Sequence, residues 1–257
     1  MKANYHTHTS FCDGKNTPEE MVAAAIQKGF DTLGFTAHAM YPFDGEGYLS
    51  TARYDEYAQT IRALAETYRD RIKILLGIEA DYIPGRTAPD RARYAPFKPD
   101  YLIGSIHFVC AGSPDKLVAV DYSPERLAEG IRDCFGGDAK AFLQSYFAAL
   151  REMVSHHEFD IVGHPDLPRK FNGKLRYFDE AAPWYRDELV RTADALAASG
   201  KTVEINTGAI SRGWLDDAYP SKEFRRLLAE RGVRMIVNSD AHFVDGLDCG
   251  FDRRWVD

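Results

Sequence analysis

The sequence is poor in cysteine and in long apolar runs, and each shortage excludes a class of protein. Its four cysteines, Cys12, Cys110, Cys134 and Cys249, form no C-x-x-C pair, which argues against the disulfide framework of a small secreted domain. No apolar run approaches the roughly 18 residues of a membrane span, and residues 1–6 carry no apolar signal core. We therefore expect a cytoplasmic protein with reduced thiols and no contact with a membrane.

The chain also lacks an excess of basic residues. Its formal net charge is -7 at pH 7, which provides no general attraction for nucleic acid or for an anionic membrane. We expect no nucleic-acid partner, and any bound phosphate must be held by local cations or metals.

What is present is the composition of one globular domain. The 257 residues are 45% hydrophobic and 28% charged, and single-domain barrels commonly reach this length. No internal repeat, low-complexity tract or Pro/Ser-rich linker interrupts the chain. We therefore treat residues 1–257 as a single domain.

Short apolar runs bounded by turn residues alternate with amphipathic stretches. Thr17 and Glu20 predict a capping box at the start of the first helix, Pro18 fits its first turn, and Gly29 is expected to end it. The apolar runs predict buried strands at 32–36, 72–78, 101–106, 160–163, 202–206 and 234–238. The amphipathic stretches predict helices at 54–68, 127–134, 139–155, 184–198 and 221–230.

This alternation predicts an α/β fold with parallel strands and crossover helices. About seven β/α units in this length favour a closed TIM-like barrel over an open sheet. A doubly wound sheet is the alternative. No Gly-rich nucleotide-binding turn follows the first strand, which favours the barrel.

Six of the eight histidines fall at the ends of predicted strands. In a β/α barrel all strand C-termini open onto one face, so these imidazoles would converge there. The remaining two, His156 and His157, lie at the end of the long helix and are interpreted as structural. The six are His6, His8, His38, His107, His164 and His242.

Three carboxylates, Asp13, Glu79 and Asp240, accompany these histidines. Mixed nitrogen and oxygen ligands suit zinc, iron or manganese. His6 and His8 point to one side of an extended strand, so they can bind a single ion together. Glu79 can bridge two ions through its two oxygens, and we therefore expect more than one metal. Asp13 is followed by glycine, and an ordinary turn explains it as well as coordination does.

The ordered set of motifs resembles the polymerase and histidinol phosphatase (PHP) superfamily, and within it the histidinol-phosphatase branch. The resemblance spans nearly the whole chain and implies a distorted seven-stranded β/α barrel, a centre of three divalent ions and a metal-dependent phosphoesterase domain over residues 1–257. The motifs are His6-Thr7-His8, Gly34-Phe35-Thr36-Ala37-His38, Gly77-Ile78-Glu79, Gly104-Ser105-Ile106-His107, Gly163-His164-Pro165-Asp166, Glu204-Ile205-Asn206-Thr207 and Ser239-Asp240-Ala241-His242.

The resemblance also implies how the ligands are shared between the ions. The chain departs from relatives at Ala37, where an acidic residue is common, and at Asp13, where some relatives carry histidine. The implied ligand sets are His6, His8, Glu79 and Asp240 for one ion, Glu79, His107 and His164 for a second, and Asp13, His38 and His242 for the third.

Two loop arginines resemble the phosphate-binding positions of the histidinol-phosphatase branch. Arg169 follows the His164 motif, and Arg212 follows the Asn206 motif. A guanidinium suits phosphate because its planar fork makes paired, charge-assisted hydrogen bonds. We expect both to bind a small phosphorylated substrate and to act in catalysis together with Glu79 and Asp240.

Side-chain alternation places Glu204 and Asn206 on one face of their strand, so at least one could face the substrate amine or the metal cluster. The expected reaction is hydrolysis of L-histidinol phosphate, in which metals lower the pKa of a bridging water to give hydroxide. Three alternatives stay open: another small-molecule or nucleotide phosphoesterase of the same superfamily, an amidohydrolase-like metal hydrolase, and a non-catalytic metal-binding module.

Overall fold

The structure, a computed structural model, describes residues 1–41 and 47–256. From their places between predicted strands, the loops 41–49 and 110–120 are expected to shape the pocket. Residues 42–46 of the first loop lie outside the described residues.

Within the described residues, seven parallel strands form one sheet: β1 Ala3–Asn4, β2 Thr32–His38, β3 Lys73–Asp81, β4 Tyr101–Ser105, β7 Ile161–Val162, β8 Thr202–Asn206 and β9 Met235–Asn238. They are neighbours in that order. The labels β5 and β6 belong to a separate hairpin described below.

The first and last strands approach each other, so the sheet curves into a nearly closed barrel. The backbone N–H of His8 donates to the carbonyl of Ala241 at 2.9 Å, and Thr7 and Ala241 form a parallel bridge. Closer to the N-terminal end of these strands, the contact between the first and last strands runs through a side chain: the Tyr5 N–H donates to Oδ1 of Asn238 at 2.8 Å. The predicted distorted seven-stranded barrel is confirmed.

Helices surround the barrel. The capping box at the first helix is confirmed, because Thr17 and Glu20 each accept from the other's backbone. The helices are α1 Pro18–Gln27, α2 Tyr54–Thr67, α3 Arg91–Tyr94, α4 Pro124–Phe135, α5 Ala139–His156, α6 Asn172–Leu175, α7 Pro183–Ser199, α8 Gly208–Ser211 and α9 Lys222–Glu230.

An antiparallel hairpin follows the fourth barrel strand and was not predicted from the sequence. Its strands are β5 Phe108–Cys110 and β6 Leu117–Ala119, with Gly112 in the left-handed region at φ 73° between them. Each strand has three residues, which is too short for a periodicity of two to be recognised. The hairpin places segment 110–120 beside His107, whose carbonyl accepts from the N–H of Val120 at 2.9 Å.

The N-terminal end of the barrel is filled by one aromatic side chain. The hydroxyl of Tyr101 donates to the carbonyl of Tyr5 at 2.6 Å, and its ring lies against Gly34 and Gly77. A Cβ atom on Gly77 would lie 2.5 Å from Cζ of that ring, so glycine is needed there. We call this the plugged end, defined by Tyr5, Leu75, Tyr101, Ile103, Ile161 and Ile236.

Within residues 1–41 and 47–256, none of the helices combines the length and the apolar character that a membrane crossing requires.

Candidate metal centre

All nine predicted ligands meet at the C-terminal end of the barrel strands, which we call the mouth. The strand pairing places His38 beside Glu79, and each of the other seven has a nitrogen or oxygen atom within 4.0 Å of another member of the set. The two remaining histidines lie outside the set, as expected: His156 contacts the carbonyl of Glu152, and His157 contacts Asp90.

Glu79 lies at the middle of the cluster, and its two oxygens face different imidazoles. Oε1 lies 3.0 Å from Nε2 of His164 and 3.6 Å from Nε2 of His107. The carboxylate is fully buried, so it separates two groups of nitrogen atoms in the way a bridging ligand does. The nitrogens nearest Oε2 are Nδ1 of His38 at 3.0 Å, Nε2 of His6 at 3.2 Å and Nε2 of His8 at 3.5 Å.

These separations suit atoms that share an ion. Two ligands at about 2.0–2.2 Å from one tetrahedral ion lie about 3.3–3.6 Å apart. Several of the facing atoms are buried and have no hydrogen-bond partner among the described residues, a costly state that a bound cation removes. The atoms are Nε2 of His6, Nε2 of His8, Nδ1 of His38 and Oε2 of Glu79.

Three overlapping groups of ligand atoms, each lying within 4.8 Å of one another, could each hold one ion. They differ in detail from the sets that the family resemblance implied, because His8 takes part in two groups and His38 in two. His164 belongs to none of the three and joins the cluster through Glu79. The groups are His8, Asp13, His38 and His242; His6, His8 and Asp240; and His38, Glu79 and His107.

The electrostatics prepare two of the ligands for metal. Burial and the positive charges of His242 and His38 lower the pKa of His8 to about 3, so this imidazole is neutral. Burial opposes ionisation of Glu79, but His6, His38 and His107 outweigh it and lower the pKa of this carboxyl well below its usual value. A neutral imidazole and an ionised carboxylate are the forms that bind cations. Facing carboxylates outweigh burial and raise the pKa of His6, His38 and His107, so a bound cation would take the place of protons on these three imidazoles. The donor set fits a divalent metal cluster.

Two carboxylates contact candidate ligand imidazoles at Nδ1, the ring nitrogen that does not face Glu79. Oε2 of Glu204 lies 2.8 Å from Nδ1 of His6, and Oδ1 of Asp81 lies 3.0 Å from Nδ1 of His107. Such contacts fix the ring orientation and leave Nε2 for metal. Of the two partners expected for Glu204, the substrate amine and the metal cluster, the structure places it beside the cluster.

Asp81 was not predicted as a site residue, although its position on the strand indicates that it faces the cluster. Asp81 lies two residues after Glu79 on one strand, so alternation points both side chains to one face. The acidic partner that relatives carry before the second-strand histidine has no counterpart at Ala37. Here Glu79 itself contacts Nδ1 of His38.

Asp240 adopts a strained backbone conformation at the mouth. Its φ of 50° lies in the left-handed region, which is uncommon for residues other than glycine. Strain of this kind is typical of functional sites. Nearby, a Cβ atom on Gly208 would lie 2.6 Å from Nη2 of Arg212 and 2.8 Å from Oδ2 of Asp240, so the absence of a side chain lets these two groups meet.

Arg212 lies at the edge of the cluster. Its Nη2 donates to Oδ2 of Asp240 at 3.0 Å, and its Nη1 lies 3.0 Å from the Asp240 carbonyl and from Nδ1 of His242. Nε is buried and has no partner among the described residues. A guanidinium carries five N–H donors, so Arg212 keeps donors for a further anion.

Arg169 has a different environment. Its Nε donates to Glu180 at 2.7 Å and its Nη1 to the carbonyl of Ala218 at 3.1 Å, and Asp166 and Asp217 lie at 3.7 and 3.9 Å. Three carboxylates thus surround one guanidinium. The charge of Arg169 is already balanced within the protein, whereas Arg212 balances the charge of a candidate metal ligand.

One further acid near the mouth had not been identified from the sequence. Oδ2 of Asp121 lies 3.0 Å from Nζ of Lys170, and Lys170, His107 and His164 lower the pKa of this half-buried carboxyl below its usual value, although desolvation alone would raise it. No sequence motif marks Asp121, because the hairpin that delivers it was not predicted.

A sequence comparison identifies the family. The sequence profile of the PHP domain matches residues 4–208. The chain belongs to the PHP domain family. A relative from Deinococcus radiodurans, named "Probable histidinol-phosphatase", is 32% identical over 243 residues, which are 92% of this chain and 85% of that protein.

Solved structures show the same fold. A histidinol phosphatase candidate from Listeria monocytogenes aligns with a TM-score of 0.84 at 21% identity, over 97% of this chain and 98% of that one. A histidinol phosphate phosphatase from Lactococcus lactis, complexed with zinc, L-histidinol and phosphate, aligns with a TM-score of 0.64 at 22% identity, over 99% of this chain and 88% of that one.

Family membership and the geometry of the mouth agree. The chain is a metal-dependent phosphoesterase of the PHP family, similar to the histidinol phosphatases, and the predicted resemblance is confirmed. The predicted divalent metal cofactor is confirmed as well, since the clustered donor atoms fit such ions. How each ligand is assigned to an ion stays a prediction.

Proposed function

We propose that this enzyme hydrolyses L-histidinol phosphate to L-histidinol and inorganic phosphate, a step of histidine biosynthesis. The observation that carries the proposal is the joint position of Glu79, between two groups of ligand atoms, and Arg212, at their edge. Relatives named as histidinol phosphatases and the Lactococcus complex with L-histidinol and phosphate support the choice of substrate.

Divalent metals bound in the mouth supply Lewis acidity and lower the pKa of water, so that hydroxide is available near neutral pH. Glu79 and Asp240 provide the ionised oxygens that hold them. His8 is neutral and bears a free Nε2 toward the same space. Glu204 and Asp81 keep the imidazoles of His6 and His107 in one orientation.

Arg212 provides the positive charge for the phosphoryl group. Its unengaged N–H donors lie beside Asp240, a candidate ligand. Charge-assisted hydrogen bonds from a fixed guanidinium gain strength in a buried site and favour the dianionic phosphate. We propose Arg212 as a substrate-binding and catalytic residue.

Arg169 is proposed for the same role at a second position. The residue is 7% exposed, and its guanidinium is anchored by Glu180 and the Ala218 carbonyl, so its orientation is fixed before substrate arrives. Because three carboxylates already surround it, we expect replacement of Arg169 to have a smaller effect than replacement of Arg212.

The test uses metal-loaded protein and the variants Arg212→Ala and Arg212→Lys. We expect kcat/KM for histidinol phosphate to fall about a hundredfold or more in Arg212→Ala, with partial recovery in Arg212→Lys. Arg226→Ala, on the exposed face of α9, is the matched control and should retain full activity. Unchanged turnover by Arg212→Ala at full metal content removes this residue from the mechanism.

A substrate panel tests the reaction itself. Histidinol phosphate, nucleotides and sugar phosphates are compared on one sample whose metals are measured by elemental analysis. We expect histidinol phosphate to have the largest kcat/KM. Preference for a nucleotide would favour a nucleotide-directed phosphoesterase, and absence of all hydrolysis at full metal content would favour a non-catalytic module.

A further inference from the structure

Tyr219 lies at the mouth in a position that the backbone fixes. It follows α8, and its N–H and carbonyl both pair with Asn206 at the end of β8, at 2.9 and 2.6 Å. The residue is fully buried, with 0% exposure. Its ring meets the ring of His164, a candidate ligand, in an edge-on arrangement with 6.4 Å between centroids.

The hydroxyl of Tyr219 has no hydrogen-bond partner among the described residues. Leaving a buried hydroxyl without a partner costs roughly 1–3 kcal/mol, so a group from outside the protein is the natural partner. Among buried tyrosines of the described residues, Tyr101 donates to Tyr5 and Tyr57 to Gly77, whereas the hydroxyls of Tyr219 and Tyr185 have no partner. Of these two, Tyr219 is the one whose ring meets a candidate metal ligand.

Charged groups of both signs act on this hydroxyl. Burial raises the pKa of Tyr219 well above its usual value, and Asp121 and Asp166 act in the same direction. Arg212 and Arg169 act in the opposite direction. These two arginines are the groups proposed to bind phosphate, and Arg169 donates to the carbonyl of the residue before Tyr219 at 3.1 Å. A protonated phenol donates its hydrogen bond to an anion.

We propose that Tyr219 is a third phosphate-binding residue, whose hydroxyl donates a hydrogen bond to a phosphoryl oxygen held between Arg212 and Arg169. The inference rests on the proposed function, because it places a phosphate in the mouth. The partner class is a phosphate monoester or free phosphate. No proton is transferred, so the tyrosine contributes by binding and by stabilising charge as the phosphoryl group reacts.

Tyr185→Phe provides a matched control for Tyr219→Phe. Tyr185 is likewise buried, at 1% exposure, and its hydroxyl is also without a partner among the described residues. It belongs to α7, and the charged groups that act on it are Asp166, Arg169 and Glu180. The two substitutions remove the same atom from two equally buried positions.

The test measures binding of inorganic phosphate to metal-loaded wild type, Tyr219→Phe and Tyr185→Phe, together with metal content and the thermal unfolding midpoint. We expect Tyr219→Phe to bind phosphate about tenfold more weakly. Its metal content should be unchanged and its midpoint equal or higher, because an unpaired hydroxyl is removed. Tyr185→Phe should bind phosphate like the wild type.

Equal phosphate affinity in wild type and Tyr219→Phe at full metal content overturns the inference, and so does a wild type that binds no phosphate. An equal loss in both variants also overturns it, since the effect would then be structural. If Tyr219→Phe weakens phosphate binding but the wild type does not hydrolyse histidinol phosphate, the proposed substrate is wrong and the role of Tyr219 stands.

Discussion

The two ends of the barrel are built from the same strands, but the interior is apolar at one end and polar at the other. At the plugged end, Tyr101, Ile103 and Ile161 pack together, and the hydroxyl of Tyr101 is paired with a carbonyl at 2.6 Å. At the mouth, several buried nitrogen and oxygen atoms have no hydrogen-bond partner among the described residues. These polar atoms at the mouth need a ligand, whereas the Tyr101 hydroxyl does not.

Strand β3 shows the difference along four alternate residues. Leu75, Gly77, Glu79 and Asp81 point to one side of the strand. The first packs at the plugged end, and the second leaves space for the Tyr101 ring. The third lies between two groups of imidazoles, and the fourth contacts His107. One strand thus contributes to stability at its start and to chemistry at its end. This division is typical of β/α barrels.

The strongest test of the comparison is Glu79→Gln. The substitution keeps the shape but removes the charge that faces both groups of imidazoles, so we expect hydrolysis to fall by about a thousandfold or more and metal content to drop. Turnover of histidinol phosphate and elemental analysis measure the two effects. Full metal content with wild-type turnover would show that the mouth does not depend on this carboxylate.

The matching test at the plugged end is Gly77→Ala, two residues earlier on the same strand. Its Cβ would lie 2.5 Å from the Tyr101 ring and 2.9 Å from the Phe35 carbonyl, so we expect a loss of about 1–3 kcal/mol in the free energy of unfolding, measured with urea at full metal content. Residual activity per folded molecule should change little. Gly173→Ala is the control, because nothing lies within 4 Å of its added Cβ.

A smaller effect is expected from Asp81→Asn. The amide oxygen can still accept from His107, but the negative charge that supports this imidazole is lost. We expect about tenfold weaker metal binding, measured by competition with a chelator, and an unchanged unfolding free energy of the metal-free protein within about 1 kcal/mol. Identical metal affinity would mean that Asp81 only shapes the loop.

The smallest effect is expected from Tyr101→Phe. It removes one hydrogen bond at the plugged end, to the carbonyl of Tyr5, and we expect the free energy of unfolding to fall by about 1 kcal/mol. Metal content and kcat/KM should match the wild type. A fall in kcat/KM per folded molecule would indicate that the plugged end and the mouth are coupled.

Much of the fold could be predicted from the sequence because its signals are local. The capping box at Thr17 needs only neighbouring residues, and strand β8 was predicted with the bounds that the structure has. The β5–β6 hairpin was missed because six residues in two short strands carry no usable periodicity. Asp121, which this hairpin brings to Lys170, was missed with it.

The sequence by itself determined which residue types stand at the ends of the strands, and this was enough to predict a barrel with a metal-binding mouth. The tertiary structure alone decided which atoms face each other. It divided the two oxygens of Glu79 between different imidazoles, placed Arg212 on Asp240 and enclosed Arg169 among three carboxylates. Chain order fixes the strand to which a side chain belongs, whereas distances across a barrel depend on the register and curvature of all seven strands together.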